Sequence, residues 1–407
     1  MASLASLLSA RAVRERAHRL YELGIEGELR HFELRLDRLP ATADFVLETI
    51  RETYPDLDIP FHSRWRQFEA GGIDRWAGLV EASGLTEDPV RFGRAAFDLA
   101  IVSVLLDAGA GPAWRYVEAA TGETFTRSEG LGVATFAMFA AGLFSANPSD
   151  PLRADAAALA ALTADELGEA FQVSPDNPLV GLDGRVKLLN TLGRVVAERA
   201  DFFGEDEARP GGLFDGLVAA AGEGAIAAGD VLARVLEALG PVWPRGLTID
   251  GVALGDTWRH AQLVTDDVTS GLMPFHKLSQ WMSYSLLEPL LWTGVEVDDI
   301  DGLTGLPEYR NGGLFLDGGV LVPRAEDAFT RRWRESDEFI VEWRALTVAL
   351  LDHLADMLRE RLGQDAVQLP LAKLLQGGTW SAGRRLARER RPGGVPPLAI
   401  ESDGTVF

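Results

Sequence analysis

The sequence contains no cysteine among its 407 residues. Disulfide bonds, thiolate nucleophiles and cysteine-based zinc sites are therefore excluded together. Histidine is also scarce, and none of the six histidines has a second one at the i, i+4 spacing that puts two metal ligands on one helix face. We therefore expect no protein-held metal and no cofactor, and this argument leaves open magnesium carried by a substrate phosphate.

Positive charge is in short supply as well. The 39 Lys and Arg stand against 61 Asp and Glu, a formal net charge of −22. Because nucleic acids are polyanions that require clustered cations, we expect no nucleic-acid partner. The densest basic run, residues 384–391, indicates a local anion site or a solvated helix face. Two or three positioned cations suffice to bind a small phosphorylated substrate.

Long apolar runs are missing too. A membrane-spanning helix needs about 20 apolar residues, and the nearest candidate, residues 133–144, is shorter and predicts a buried helix. The first 16 residues lack the apolar core and cleavage pattern of a signal peptide and predict an amphipathic helix. We therefore expect no membrane association and a cytoplasmic location.

What the sequence has in abundance is helical periodicity, which predicts a mainly α protein, a compact multi-helix body with one or two small β-hairpins. Predicted helices cover residues 3–23, 41–53, 73–84, 90–107, 113–120, 128–143, 163–171, 182–203, 212–222, 226–239, 275–287, 325–363, 368–375 and 380–390. The stretch 325–363 is interpreted as two helices or as one bent helix. Hairpins are predicted at 313–322 and 247–254, with weaker strands at 31–36 and 398–400. No linker is long, so residues 1–407 are interpreted as one helical unit, or as two lobes meeting near residue 150 or 205.

The segment 273–290, MPFHKLSQWMSYSLLEPL, is the most informative motif. Pro274 is expected to open a helix and Pro289 to end it. At about 100° per residue, one stripe of this helix carries polar side chains, namely Lys277, Gln280, Tyr284 and Glu288. The stripe is either a structural network between helices or the wall of a pocket, in which His276 or Lys277 near the helix N-terminus suits an anion.

Two carboxylates in the sequence are candidate catalytic groups. Asp267 precedes this helix and is either a structural cap or a catalytic group. Asp107 ends the predicted helix 90–107, where the helix dipole disfavours an anion, so it suits acid–base chemistry unless a cation compensates. The alternative for Asp107 is an exposed terminal residue. Ser128 is interpreted as the cap of the next helix, because its surroundings lack the strand and first glycine of a nucleophile elbow.

Three further segments mix polar and aromatic groups. Residues 60–72 hold His62, Arg64 and Trp65, which either clamp a phosphate beside a flat group or form a surface helix with ordinary ion pairs. Residues 305–313, GLPEYRNGG, and 376–383, QGGTWSAG, are polar segments beside glycine that are either functional loops or simple turns.

These motifs resemble the Urg3-like family of the alternative (URC) uracil-catabolism pathway. The resemblance covers residues 40–407 and runs in order through PFHSRWRQFEAGGIDRW, LLDAGAGPAWRY, RSEGLGVATF, NPLVGLDGR, MPFHKLSQWMSYSLLEPL, GLPEYRNGG, GGTWSAGRR, RPGGVPP and ESDGTVF. It implies a place in uracil degradation through a ribosylated intermediate, beside a cyclohydrolase-like enzyme and a phosphoribosyltransferase. The family's own reaction is unassigned, and the step this leaves open is cleavage of a ribosylurea, free or phosphorylated, into urea and the sugar. A distant kinship with helical DNA-glycosylase-like nucleoside hydrolases fits the helical character.

An N-ribosyl hydrolase needs a carboxylate for the oxocarbenium-like state, a proton donor for urea and cations for phosphate. The candidate catalytic residues are Asp267, Asp107, His276, Glu129 and Glu308. The candidate substrate-binding residues are His62, Arg64, Trp65, Lys277, Gln280, Tyr284, Tyr309, Arg310, Asn311 and Trp380. The alternatives are an amidohydrolase-type cleavage of the opened pyrimidine and a non-catalytic partner that contacts the cyclohydrolase-like enzyme or other enzymes of uracil catabolism.

Overall fold

Helices form most of the chain, as the periodicity predicts. The structure is a computed structural model that describes residues 3–205, 207–243 and 246–401. The helices are α1 Ala10–Ile25, α2 Leu39–Thr53, α3 Trp65–Phe68, α4 Arg75–Ser83, α5 Pro89–Leu106, α6 Arg127–Ala140, α7 Ala156–Ala161, α8 Ala164–Ala170, α9 Leu182–Glu198, α10 Ala200–Phe203, α11 Gly212–Ala221, α12 Ala228–Leu239, α13 Lys277–Trp292, α14 Tyr309–Asp317, α15 Glu338–Leu362, α16 Leu371–Leu374 and α17 Trp380–Arg390.

The strands are short and pair two by two. They are β1 Phe32–Leu34, β2 Tyr116–Val117, β3 Thr124–Phe125, β4 Ala225–Ala227, β5 Thr248–Ile249, β6 Val252–Ala253, β7 Thr257–Arg259, β8 Leu272–Pro274, β9 Glu296–Asp298, β10 Leu321–Pro323, β11 Arg332–Trp333 and β12 Ala399–Ile400. β1 pairs antiparallel with β10, while β4 with β9 and β11 with β12 are parallel. Half of these pairs therefore join distant segments of a helical body.

Two apolar helices organise the core. In α5 the residues from Ala95 to Leu106 are all buried, and α5 packs against α6, α11 and α13. In α15 the same is true from Phe339 to Leu351, and α15 packs against α1, α2 and α14. One continuous cluster of buried apolar side chains extends from Ala10 to Leu398. The division into two lobes near residue 150 or 205 stays a prediction.

The mainly α class is confirmed, as are the hairpin at 247–254 and the strands within 31–36 and 398–400. The hairpin predicted at 313–322 is wrong. Its first apolar run, Leu314 to Leu316, is buried as the last turns of α14, and its second run forms β10 against β1. Two apolar runs around Asp-Gly-Gly are typical of a local hairpin. The same pattern also occurs where a helix ends and the chain continues into a strand that pairs with a distant segment.

Two helix predictions are also wrong. Residues 113–120 contain β2, which pairs with β3 in a tight hairpin. The helix predicted from residue 325 begins only at Glu338, and the segment before it contains β11. β11 pairs with β12, 67 positions further along the chain at Arg332 and Ala399, a partnership that local periodicity does not encode. Among the described residues, no helix has the length and apolar character that a bilayer crossing requires.

Pro289 does not end its helix: α13 continues through it to Trp292. A proline has no N–H, so the carbonyl of Ser285, four residues earlier, loses its helical partner. The indole Nε1 of Trp65 donates a hydrogen bond to this oxygen at 2.8 Å. A side chain from α3 therefore satisfies the carbonyl that the proline leaves free, which allows the helix to continue.

We expect Trp65→Phe to lower the free energy of unfolding by about 1 to 3 kcal/mol beyond its packing loss, because a buried carbonyl is left unpaired. Urea denaturation measures this loss. Trp281→Phe is the matched control, since Trp281 is also buried and its Nε1 has no partner among the described residues. Equal losses for the two variants would contradict the role of the indole hydrogen bond.

Candidate functional site

A cavity of about 420 Å³ opens where several helix ends meet. The carboxyl end of α5 and the amino ends of α6, α13, α14 and α17 surround it, and a loop at 394–396 covers one side. Its wall is formed by His62, Gln67, Asp107, Ala108, Gly109, Ala110, Gly111, Pro112, Arg127, Ser128, Lys277, Trp281, Leu306, Glu308, Tyr309, Arg310, Trp380, Gly394, Val395 and Pro396. Both acids and cations face this space, beside three large aromatic rings.

Arg64 fixes the carboxylate of Asp107 from below the cavity. Its guanidinium is fully buried, and Nη1 lies 2.9 Å from Asp107 Oδ1. Nε donates to Ser103 Oγ at 2.7 Å, while Nη2 has no partner among the described residues. Ser128 Oγ donates to the same carboxylate at 2.7 Å. The end of α5 and the start of α6 are thus held together through one anion, and a buried N–H remains available beside it.

Glu308 is the second carboxylate of the cavity. It precedes α14, and its side chain accepts hydrogen bonds from the backbone N–H of Arg310 at 2.7 Å and of Asn311 at 2.6 Å. Burial raises the pKa of Glu308 despite these bonds and the positive charge of Lys277. Glu308 has no ion pair within 4.0 Å among the described residues, so its charge is only partly balanced.

Lys277 begins α13 and lines the cavity. Burial lowers the pKa of its ammonium group, and the charges of Glu308 and Asp107 oppose that shift. The preceding His276 has a φ of 49°, and Arg127 at the start of α6 has a φ of 55°. This left-handed conformation is unfavourable for residues other than glycine and is enriched at functional sites. Two helices therefore begin at the cavity with strained residues.

His62 contributes a neutral imidazole. Burial lowers the pKa of His62 to about 4, and its Nδ1 lies 2.8 Å from the amide oxygen Oε1 of Gln376. That acceptor places the ring proton on Nδ1, so Nε2 is left as an acceptor. Gln376 lies in a π-helical segment, Leu375–Thr379, which joins α16 to α17. Such segments often occur at functional sites.

The backbones of α14 and α17 are in direct contact beside the cavity. A Cβ at Gly383 would overlap the carbonyl oxygen of Arg310, so only glycine fits there. Arg310 donates through Nη1 to the carbonyl of Gly394 at 2.9 Å and thereby holds the covering loop. Within the described residues no group of three or more His, Asp or Glu side chains is placed to hold a metal ion.

Residues 6–407 match the family described as "Protein of unknown function (DUF1688)". The chain belongs to the DUF1688 family. Two similar proteins are "Protein urg3" of Schizosaccharomyces pombe, 40% identical over 418 aligned residues that cover 100% of this chain and 99% of that protein, and "Uracil catabolism protein 4" of Lachancea kluyveri, 37% identical over 414 aligned residues that cover 94% and 93%. The aligned region therefore covers this chain completely in one relative and 94% of it in the other.

About half of the residues singled out from the sequence meet in the cavity of this DUF1688 protein. They are Asp107, Glu308, His62, Lys277, Tyr309, Arg310 and Trp380. Two more lie directly behind the wall: Arg64 contacts Asp107, and Glu129 pairs with Arg384 at 2.6 Å. The roles of these residues stay predictions.

The others lie elsewhere. Asp267 is in an exposed loop, where it accepts hydrogen bonds from Thr269. His276 is buried and its Nε2 contacts the Leu7 carbonyl. Four others make buried structural contacts. Trp65 donates to the Ser285 carbonyl and Asn311 to the Leu306 carbonyl. Gln280 and Tyr284 both donate to Thr304. The polar stripe on α13 therefore divides: Lys277 reaches the cavity, and the residues after it tie helices together.

Sequence reasoning missed several wall residues and misassigned one. Ser128 does not cap α6, since Thr126 precedes that helix, and its hydroxyl instead binds Asp107. The wall residues Arg127, Gln67 and Trp281 were not proposed, nor was Gln376, which contacts the wall residue His62. The sequence signal available for Arg127 and Ser128 was their place in the RSEG motif, at the start of the predicted helix 128–143.

Arg64→Met should lower the free energy of unfolding by about 3 to 5 kcal/mol, because Asp107 then remains largely buried without its cation. In Arg64→Met/Asp107→Asn the loss should be smaller than the sum of the single losses. Urea denaturation measures all three. Arg35→Met, which breaks the exposed pair with Glu33, should have little effect. Additive losses at Arg64 and Asp107 would show that the pair is not coupled.

His62 should make stability depend on pH. The unfolded chain binds a proton at His62 near pH 6.5, whereas the folded chain binds it only near pH 4. Folding is therefore destabilised as the pH falls from 6.5 to 4, by up to about 3 kcal/mol. The difference in unfolding free energy between the wild type and His62→Asn should narrow over this range and stay constant from pH 7 to 9. A constant difference down to pH 4 would contradict the buried neutral imidazole.

Proposed function

We propose that this protein acts in uracil catabolism and hydrolyses the N-ribosyl bond of a ring-opened, uracil-derived riboside, a ribosylurea or its phosphate, to urea and ribose or ribose phosphate. Two full-length relatives support the pathway, since one is named "Uracil catabolism protein 4" and the other "Protein urg3". The observation that carries the reaction is that the carboxylate of Glu308 and the ammonium group of Lys277 lie on the wall of one cavity, and that neither has an ion pair within 4.0 Å among the described residues.

The chemistry needs negative charge beside the sugar. As the C–N bond breaks, positive charge develops on the anomeric carbon and ring oxygen, and a fixed carboxylate stabilises it. Asp107 already faces Arg64 at 2.9 Å, so its charge is balanced before any ligand enters. Glu308 has no comparable partner in the part of the chain that the structure describes, and burial disfavours its charge. A developing cation therefore gains more from Glu308 than from Asp107.

Urea is a poor leaving group unless its nitrogen receives a proton. The electron pair of the C–N bond passes to this nitrogen, which takes a proton from the Lys277 ammonium group. Burial lowers the pKa of Lys277 and so makes it a stronger acid than an exposed lysine. Water adds its oxygen to the anomeric carbon and gives a proton to Glu308. The products are urea and the free sugar, and exchange with solvent restores both side chains.

The remaining wall groups bind and orient. Asp107 accepts hydrogen bonds from a hydroxyl or from a urea N–H, and Arg64 holds its carboxylate in place from behind the wall. His62 Nε2 accepts from a sugar hydroxyl. Trp281, Tyr309 and Trp380 supply flat apolar surfaces that exclude water from the planar urea group.

Glu308→Gln should reduce kcat for release of urea from synthetic ribosylurea or its phosphate by about 100- to 10,000-fold, because the isosteric amide lacks the negative charge. Asp107→Asn should mainly raise KM. Asp267→Asn is the matched control, since this exposed carboxylate lies outside the cavity wall, and it should retain wild-type turnover. In the wild type, kcat should fall on the acid side with a midpoint above 4.5, the ordinary pKa of a glutamate, since burial raises the pKa of Glu308.

Product analysis decides between reaction classes. Urea together with a free reducing sugar supports N-ribosyl hydrolysis. Ammonia or a carboxylic acid would show an amidohydrolase reaction instead, and full activity of Glu308→Gln would remove Glu308 from the mechanism. Failure to turn over either substrate, combined with stable association with the cyclohydrolase-like enzyme, would replace the hydrolase with a non-catalytic partner.

A further inference from the structure

Four arginines come together at the rim of the cavity. Arg127 and Arg310 line it, and Arg384 and Arg388 project from α17 beside it. Repulsion from Arg384, together with burial and the charges of Arg127 and Arg310, lowers the pKa of Arg388. These guanidinium groups are thus close enough for their charges to oppose one another, in a protein whose net charge is −22.

Carboxylates neutralise little of this cluster. Arg384 pairs with Glu129 at 2.6 Å. In the part of the chain that the structure describes, Arg127, Arg310 and Arg388 have no carboxylate within 4.0 Å. Their neighbours behave differently: Arg385 pairs with Glu48 and Arg391 with Asp317. Arg385 and Arg391, which lie outside the cavity wall, are therefore balanced, whereas the arginines at the rim carry excess positive charge.

A buried donor at the rim also lacks a partner. Arg310 is 5% exposed, its Nη1 donates to the Gly394 carbonyl at 2.9 Å, and its Nε has no hydrogen bond among the described residues. An unpaired buried N–H costs free energy unless a ligand accepts from it. Arg127 Nη2 approaches the carbonyl of Gly393 at 3.3 Å. The loop 393–395 is thus held by two arginines that both keep N–H groups for a further acceptor.

Burial differs around the cavity. Glu308 and Trp281 are buried, whereas Arg127 and Arg388 are exposed, so these two arginines lie nearer to solvent. We propose that the rim cluster of Arg127, Arg310 and Arg388 is a phosphate subsite, so that the substrate is a sugar phosphate ester whose phosphate lies at the rim and whose ribosyl bond lies near Glu308. This inference rests on the proposed function for the position of the ribosyl bond, but the phosphate subsite follows from the rim alone.

Binding of ribose 5-phosphate, ribose and inorganic phosphate to the full-length protein, measured by calorimetry, tests the subsite. We expect ribose 5-phosphate to bind at least about tenfold more tightly than ribose, since charge-assisted hydrogen bonds to arginine are made only by the phosphate. Its affinity should fall with added salt, and inorganic phosphate should compete with it. Equal affinity for ribose and ribose 5-phosphate would overturn the proposal.

Arg388→Ala and Arg127→Ala should each weaken ribose 5-phosphate binding by about tenfold or more and leave ribose binding unchanged. Arg388→Lys should recover part of the loss because the charge is kept. Arg390→Ala is the matched control. It removes an exposed arginine from the same helix about 200° away from Arg388, so it should bind as the wild type does. Arg388→Ala without effect, or an equal loss in Arg390→Ala, would overturn the proposal. Unchanged thermal unfolding confirms that these surface variants are folded.

The two proposals fail in different ways. Arginine-dependent binding of ribose 5-phosphate with no hydrolysis of ribosylurea or its phosphate would support the subsite and overturn the hydrolase. Hydrolysis of unphosphorylated ribosylurea with the same kcat/KM as its phosphate would support the hydrolase and overturn the subsite.

Discussion

The ion pair between Arg64 and Asp107 is the constraint on which the cavity depends. A buried guanidinium needs a compensating anion, and the carboxyl end of α5 supplies one where the helix dipole alone would disfavour it. Because Ser128 binds the same carboxylate, the start of α6 is fixed against the end of α5. The short segment containing α3 is held from its other side, since the Trp65 indole donates to α13. Removing this one cation would therefore loosen three helix ends at once.

The fold class follows from local information. Periodicity located α5 closely, because this helix has a long apolar face, the capping residue Asp88 and a proline at its start. Local information failed where the partner was distant. β10 pairs with β1 across almost 290 positions, and α13 passes through Pro289 only because Trp65, more than 200 positions earlier, binds the free carbonyl. Neither partner can be identified from the residues beside it.

The site was predictable in part for the same reason. Segments in which polar residues stand beside helix starts and glycines indicated Lys277, Glu308 and Arg310. It also indicated Asp267 and Gln280, since sequence spacing shows which helix face a residue occupies and not what that face contacts. Gln280 meets Thr304 in the interior, and Asp267 meets Thr269 in solvent. The environment of Asp107 is determined by its ion pair with Arg64, which lies 43 positions earlier in the chain and cannot be identified from the residues around Asp107.

The contact at Gly383 bears on how a ligand enters. With no side chain between them, the backbones of α14 and α17 touch, so Arg310 and Arg388 belong to one rigid unit. A hinge motion between these helices would pull apart two backbones that are in direct contact. The opposite wall is held as well, because the buried guanidinium of Arg185 donates to the carbonyls of Leu106 and Ala108 and the N–H of Val180 donates to the carbonyl of Ala110. Both walls are thus tied by direct contacts, and a ligand enters a cavity whose shape is already set.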